Sequence, residues 1–238
     1  MTDPGRSIAI IGDGKMGQAI RELALVKGWK VAALIGENES AGGQGINRST
    51  LGGAQVAVEF TEPKAAVANI AATLRAGVPV VVGTTGWYQE LPEVSRIANE
   101  SGAALLWSPN FSLGVNVLIE VARYAGTLMR ELHDFDAHIV ETHHSAKKDA
   151  PSGTALALGK AASDGLDRPI PITSVRTGSV PGTHELIFDG RFEQLALNHV
   201  ARDRLVFAEG ALTAAGWLIG KTGVFTMRDV LSLPPRKP

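Results

Sequence analysis

Between Glu141 and Ala155 the chain reads Glu-Thr-His-His-Ser-Ala-Lys-Lys-Asp-Ala-Pro-Ser-Gly-Thr-Ala. Histidine titrates near neutral pH, so His143 and His144 can exchange protons or hold an anion. Lys147 and Lys148 can act as proton donors or as anion clamps. A Ser152-Gly153-Thr154 step at the start of a helix turns backbone N–H groups toward a carboxylate or phosphate. Together these types suit an anionic substrate that must be protonated as it reacts. The plainer reading is a solvated charged loop; an Asp149 cap on the next helix is compatible with function, since it could position the loop. A metal centre drawn from His133, His138, His143 and His144 fits no zinc spacing, and there is no cysteine to complete one, so no metal is expected.

A second chemical feature lies near the N-terminus. Gly12-Asp13-Gly14-Lys15-Met16-Gly17 is G-x-G-x-x-G, set between the β-branched run Ser7–Ile11 and a helical stretch, Gln18–Lys27. In a β–α–β unit Gly12 allows the tight turn, Gly14 admits a pyrophosphate to the backbone, and Gly17 lets helix and strand pack closely. The alternative is a merely structural turn. Two further strand ends, Gly83-Thr84-Thr85-Gly86 and Ser108-Pro109-Asn110-Phe111, would face the same crevice, because ligands of open α/β sheets bind at the carboxyl ends of strands. Ordinary turn chemistry competes there too. For the ribose, Glu37 and Glu39 follow the second strand while the nearest following base, Arg48, is distant. That balance favours NADH over NADPH.

These groups need elements to hold them. Ser7–Ile11, Trp29–Ile35, Ala54–Phe60, Val78–Val82 and Ala103–Trp107 read as strands, with helices at Gln18–Lys27, Lys64–Ala76 and Leu91–Ser101 between them. Such alternation predicts a doubly wound parallel sheet. The glycine-rich segment 36–53 reads as a mobile loop. After Asn110 the pattern changes. A long helix is expected over Val115–Leu132, a strand over Ala137–Thr142 and a helix over Ser152–Ala162. Period-2 segments then follow through 170–207 (ITSVRT, THELIF, EQLALNHVA, RLVFA), as in an antiparallel or mixed sheet. Ala211–Ile219 and Met227–Leu231 read as closing helices. The chain is therefore expected to be α/β, with a second domain carrying its own sheet.

Composition narrows the classes. At 238 residues the chain is long enough for one or two domains with a real core. Lys+Arg of 23 against Asp+Glu of 24 gives a net charge of −1, so no global field points to nucleic acid or an anionic membrane. The absence of cysteine excludes a disulfide scaffold and a thiol nucleophile. No run is long and apolar enough for a transmembrane helix, and the first residues lack the pattern of a secretory signal. A cytoplasmic protein is expected.

His-His-Ser-Ala-Lys-Lys-Asp-Ala-Pro-Ser-Gly-Thr-Ala at 143–155 resembles the signature H-H-x-x-K-x-D-A-P-S-G-T-A of the 4-hydroxy-tetrahydrodipicolinate reductase (dihydrodipicolinate reductase) family. The likeness extends along the chain, through Glu59-Phe60-Thr61, Val82–Gly86, Pro109–Ser112, Pro181–His184, His199–Ala201, Phe207–Ala211 and Met227–Leu231. It implies reduction of a cyclic imine dicarboxylate in the diaminopimelate route to lysine. Hydride would come from NADH or NADPH, with loss of the 4-hydroxyl. It implies His143 and Lys147 as catalytic, His144, Gly153 and Thr154 on the substrate carboxylates, and Gly12–Gly17, Gly83–Thr85 and Ser108–Phe111 around the cofactor. It further implies a Rossmann domain of residues 1–111 and 209–238, interrupted by an α+β substrate and oligomerisation domain at 112–208, and a homotetramer. The chain departs from the family at the cofactor side: its glycine turn is one residue shorter, and Ile35-Gly36 stands where many members carry Glu-Arg. Alternatives are an amino-acid dehydrogenase of the aspartate dehydrogenase type, which has no need of the full Lys147–Thr154 arrangement, and a nucleotide-binding protein without catalysis.

Overall fold

The computed structural model describes residues 5–233. The chain divides into two compact units, one formed by 1–111 with 207–238 and the other by 112–206.

The first unit begins with β1 (Ser7–Ile11), α1 (Lys15–Val26), β2 (Lys30–Ile35), the short α2 (Glu37–Ser40), β3 (Val56–Glu59) and α3 (Pro63–Arg75). It continues with β4 (Val80–Val82), α4 (Leu91–Ser101) and β5 (Ala104–Trp107). Pro63 sits in the first turn of α3, where its missing N–H costs nothing. The strands are runs of Val, Ile, Ala and Leu because both faces are covered; Ile8, Val58, Val81 and Leu105 are all fully buried.

The second unit opens with α5 (Leu113–Met129), whose N-cap Ser112 accepts from Val115 N–H. Then come β6 (Asp136–His143), α6 (Gly153–Leu166), β7 (Ile172–Arg176), β8 (Thr183–Asp189) and β9 (Gln194–Val200). They form a four-stranded mixed sheet in the order β7-β6-β8-β9, with β6 and β7 parallel and the other pairs antiparallel. Helices α5 and α6 pack with their backbones almost touching. A Cβ on Gly126 would stand 2.5 Å from Ala162 O, and one on Gly165 would stand 2.2 Å from Arg123 O. Ile139, Leu158, Leu186 and Phe188 fill the core beneath them.

The chain ends with α7 (Leu205–Leu218), β10 (Gly223–Thr226) and α8 (Met227–Val230). β10 joins the first unit beside β5, giving an all-parallel six-stranded sheet in the order β10-β5-β4-β3-β1-β2. The winding direction reverses between β1 and β3, where a doubly wound sheet opens its ligand crevice.

Three expectations are corrected. Arg204–Ala208 does not belong to a strand: α7 starts at Leu205, whose N–H is taken by Asp203 Oδ1 at 2.7 Å. A five-residue alternation cannot outweigh the uninterrupted helix formers that follow it. Segment 36–53 is not a free loop, because α2 opens it and Ile46 and Leu51 are buried. β10 was hidden in the short Gly223–Thr226 run, too brief to show a period.

Candidate functional site

Each unit carries its own cluster. In the first, Gly12 has φ +105°, and a Cβ there would come within 2.1 Å of Phe60 O. A Cβ on Gly17 would meet Gly12 O at 1.8 Å, so strand and helix close on each other as the motif requires. Gly14, the N-cap of α1, has nothing within 4 Å of its Cβ position. Its backbone therefore lies open to a ligand at the helix N-terminus.

Two adjoining pockets flank this turn. Gly12, Asp13, Gly14, Glu37, Thr61 and Asn69 help line one, and Lys15, Met16, Phe60, Gly83, Thr84 and Thr85 help line the other. A Cβ on Gly83 would fall 2.0 Å from the Phe60 ring, which fixes how closely the β4 end approaches that wall. Ser108, Pro109, Asn110 and Phe111 line neither pocket. They form a tight turn in which Ser108 Oγ donates to Asn110 O at 2.6 Å, and the Phe111 ring lies 5.8 Å from that of Phe60. Sequence reasoning assigned no role to Phe60 or Thr61, although the crevice rule puts the end of β3 beside the glycine turn.

At the second cluster, β6 delivers Glu141 and His143 to its carboxyl end. Glu141 is fully buried. Its Oε1 accepts from Arg176 at 2.6 Å and from Ser152 N–H at 3.3 Å, and its Oε2 lies 2.5 Å from His143 Nδ1. Burial alone would raise this carboxyl, but Arg176, Ser174, His143 and Ser152 outweigh it and hold it down at about 2. His143 itself is pulled below the usual imidazole range. Burial is the main cause and the Lys147 and Arg176 charges add to it, while Glu141 opposes them. A Cβ on Gly182 would stand 3.0 Å from His143 Nε2, so a glycine keeps that nitrogen clear.

The loop after β6 is pinned by its backbone, with His144 N–H on Val180 O at 2.8 Å and Ser145 N–H on Gly178 O at 3.1 Å. Lys147 Nζ lies 2.7 Å from Asp149. Ser152 caps α6 by accepting from Ala155 N–H, and nothing lies within 4 Å of the Gly153 Cβ position. Thr154 follows it in the first turn. Arg204 meets His144 Nε2 at 2.6 Å, and both line a pocket with Ser179, Pro181, Arg202 and Asp203. Thus His143, His144, Lys147, Gly153 and Thr154 lie on one strand end, loop and helix start. Glu141, Arg176 and Arg204 were not anticipated as site residues; the first and last flank recognised motifs, but their pairing is three-dimensional.

Glu141, His143 and His184 bring one potential ligand atom each within 4.8 Å of one another, a grouping different from the four histidines weighed in the sequence. Arg176 already neutralises the Glu141 carboxylate, which suits a held imidazole better than a dication.

The family model "Dihydrodipicolinate reductase, N-terminus" matches residues 6–111, and "Dihydrodipicolinate reductase, C-terminus" matches residues 114–231. A 4-hydroxy-tetrahydrodipicolinate reductase of Christiangramia forsetii is 35% identical, over 95% of this chain and 98% of that protein. One from Thiobacillus denitrificans is 36% identical over the same shares. Among solved structures, a dipicolinate-bound dihydrodipicolinate reductase from Paenisporosarcina sp. TG-14 superposes with a TM-score of 0.76 at 21% identity, covering 94% of this chain and 98% of that one. An amine dehydrogenase from Mycobacterium smegmatis superposes at 0.63 with 12% identity, over 100% and 98% of the two chains. At such identities these structural likenesses speak to the fold alone.

Proposed function

The chain belongs to the 4-hydroxy-tetrahydrodipicolinate reductase family, and from that premise we propose how its own residues serve the reaction. It is an oxidoreductase of lysine biosynthesis that reduces 4-hydroxy-tetrahydrodipicolinate with a nicotinamide cofactor. In this reading the 1–111 and C-terminal unit binds the dinucleotide, and the intervening unit holds the substrate.

The glycine cradle fits a pyrophosphate: Gly14 is open above the α1 N-terminus, and Gly12 and Gly17 admit no side chain. When bound, the reduced nicotinamide supplies the hydride. Gly83–Thr85 and Ser108–Phe111 are assigned to its surroundings. The chain's own task is then to hold two carboxylates and deliver protons. Loss of the 4-hydroxyl as water takes up one proton and releases one from the neighbouring ring carbon, and the unsaturated ring that then accepts hydride takes one back, so the net uptake is one hydride and one proton. Lys147 and His143 are the donors we assign. Glu141 orients His143 so that Nε2 faces the space kept by Gly182. His144 with Arg204, and the Gly153–Thr154 helix start, hold the carboxylates. The observation that carries this reading is the His144–Arg204 contact beside a Glu141-held His143, a cationic seat next to a proton source.

NADH is the proposed donor. Carboxylates of both Glu39 and Asp13 converge on Gly36, within 2.7 and 2.9 Å of its Cβ position, and Glu37 lines the same pocket. A 2′-phosphate would add negative charge beside them. The cation lining that pocket, Lys64, already pairs with Glu62 at 3.1 Å.

Homotetramer assembly through the second unit's sheet is proposed as well. β9 is an edge strand whose Leu195 and Val200 are exposed, and unpaired apolar edges invite a partner strand. No helix among the described residues is long and apolar enough to cross a membrane, and the cytoplasm is the proposed site of action.

The test is NADH oxidation dependent on the condensation product of pyruvate and aspartate semialdehyde. Turnover with that substrate, and none with aspartate and NAD, supports the reading; the reverse result replaces it with an aspartate dehydrogenase.

A further inference from the structure

Glu59 ends β3, a central strand, with its side chain fully buried and its carboxyl at the crevice end of the sheet. Thr61 Oγ1 donates to Glu59 Oε1 in a short hydrogen bond. Asn69 Nδ2 on α3 donates to Thr61 Oγ1 at 3.4 Å, and Thr61 N–H donates to Thr84 Oγ1 at 2.7 Å. Trp87 Nε1 anchors the other side of Thr84 by donating to its carbonyl at 2.8 Å. Among the described residues Glu59 Oε2 has no hydrogen-bond partner, nor has Asn69 Oδ1. Thr61, Asn69 and Thr84 are walls of the two pockets around the glycine turn. A buried acid therefore stands directly behind the hydroxyls that shape the cofactor crevice, and the reaction chemistry makes no use of it.

We propose that Glu59 is a positioning residue for the cofactor site: its buried carboxyl anchors Thr61 and through it the Thr84 and Asn69 side of the wall, and once ionised it sets a negative charge behind the crevice that weakens dinucleotide binding. Burial is the main influence on Glu59 and pushes it up to about 7, against smaller opposing effects of Thr61, Thr84 and Asn69. The charged groups on surrounding elements are Asp13 and Lys15 on the glycine turn, Glu37 on α2, and Glu62 with Lys64 at the start of α3. Glu62 and Lys64 pair with each other, and among the described residues no cation pairs with Glu59. Among the described residues an ionised Glu59 is offset by hydrogen bonds but by no paired cation, and a bound dinucleotide adds anionic phosphates to the same crevice. By linkage, binding then favours the protonated form, and affinity declines as pH rises through the Glu59 transition.

This inference rests on the dinucleotide reading of the crevice. The experiment measures NADH dissociation constants by cofactor fluorescence from about pH 6 to about pH 8.5, for the wild type and for Glu59→Gln; NADH is used because a 2′-phosphate would itself titrate near pH 6. The expected result is that wild-type affinity falls roughly threefold or more across the range, while Glu59→Gln binds with a flat profile. Parallel profiles would overturn the inference and leave the dinucleotide reading standing. No binding by the wild type at any pH would overturn both. Should Glu59→Gln fail to fold, infrared spectroscopy of the wild type reads the same proton. A protonated carboxyl band should fade near pH 7 and persist to higher pH with NADH present; a band unmoved by NADH refutes the proposal.

Discussion

His143 Nδ1 stands 2.5 Å from Oε2 of Glu141, a carboxylate with no exposed surface whose other oxygen is held by Arg176. The carboxylate fixes which imidazole nitrogen faces inward, and so leaves Nε2 for chemistry. Glu141→Gln keeps the shape and removes the charge. The expected outcome is a fall in kcat of roughly ten- to a hundredfold, with the NADH dissociation constant unchanged. An unaltered kcat in steady-state assays would show that His143 needs no such support.

Lys147 and His143 are assigned separate protons, so their loss should read differently. Lys147→Ala is expected to lower kcat by roughly two to four orders of magnitude, and His143→Ala by a smaller factor. Lys147→Arg should not rescue, because a guanidinium does not release its proton at working pH. Wild-type turnover in both alanine variants would sink the assignment of both residues.

Arg204 reaches His144 from a segment sixty residues later in the chain, at 2.6 Å. If the two hold a carboxylate, Arg204→Ala should raise KM for the cyclic substrate about ten- to a hundredfold, matching the loss of one charge-assisted hydrogen bond. KM for NADH should stay where it is. A change confined to kcat would instead place Arg204 among groups that act on the transition state.

The parts of this arrangement legible in the sequence were local. Gly12–Gly17 announces itself because spacing, strand and helix lie within one short segment, and the His143–Thr154 loop is likewise contiguous. Arg204 was hidden because it is placed by the turn at Asp203 that starts α7, within a segment whose alternation imitates a strand. Glu59 sat in a strand read correctly, but whether a strand-end acid is buried depends on α3 and the β4 end covering it. β10 is a four-residue strand whose partner, β5, lies more than a hundred residues earlier, and no periodicity records a pairing of that kind.

Cofactor choice can be tested at the end of β2. The acidic groups converging there are expected to give a higher kcat/KM with NADH than with NADPH. Glu37→Arg should shift the ratio toward NADPH by about tenfold or more, since a guanidinium pairs with a 2′-phosphate. A wild type that prefers NADPH would contradict the reading outright.

His184 supplies a stability test independent of catalysis. Its ring is buried at the start of β8, with Nε2 3.2 Å from Ser152 Oγ and the His143 ring 5.1 Å away. Burial first, and then the neighbouring His143, lower it from 6.5 to about 4. The folded protein therefore keeps His184 neutral where the unfolded chain already binds a proton. Between those two values the unfolded state carries the extra proton, so stability rises with pH. The contribution is complete above the unfolded value of 6.5 and is lost as pH falls toward 4. Glu141 acts in the same direction over a lower window, since its folded value of about 2 lies below its usual 4.5. Urea unfolding at about pH 7 and about pH 5 should show the wild type losing stability over a range where Glu141 contributes little. His184→Gln cannot titrate, so it should lose distinctly less over the same interval, whatever its starting stability. Equal losses in the two proteins would mean that His184 is not held neutral by the fold.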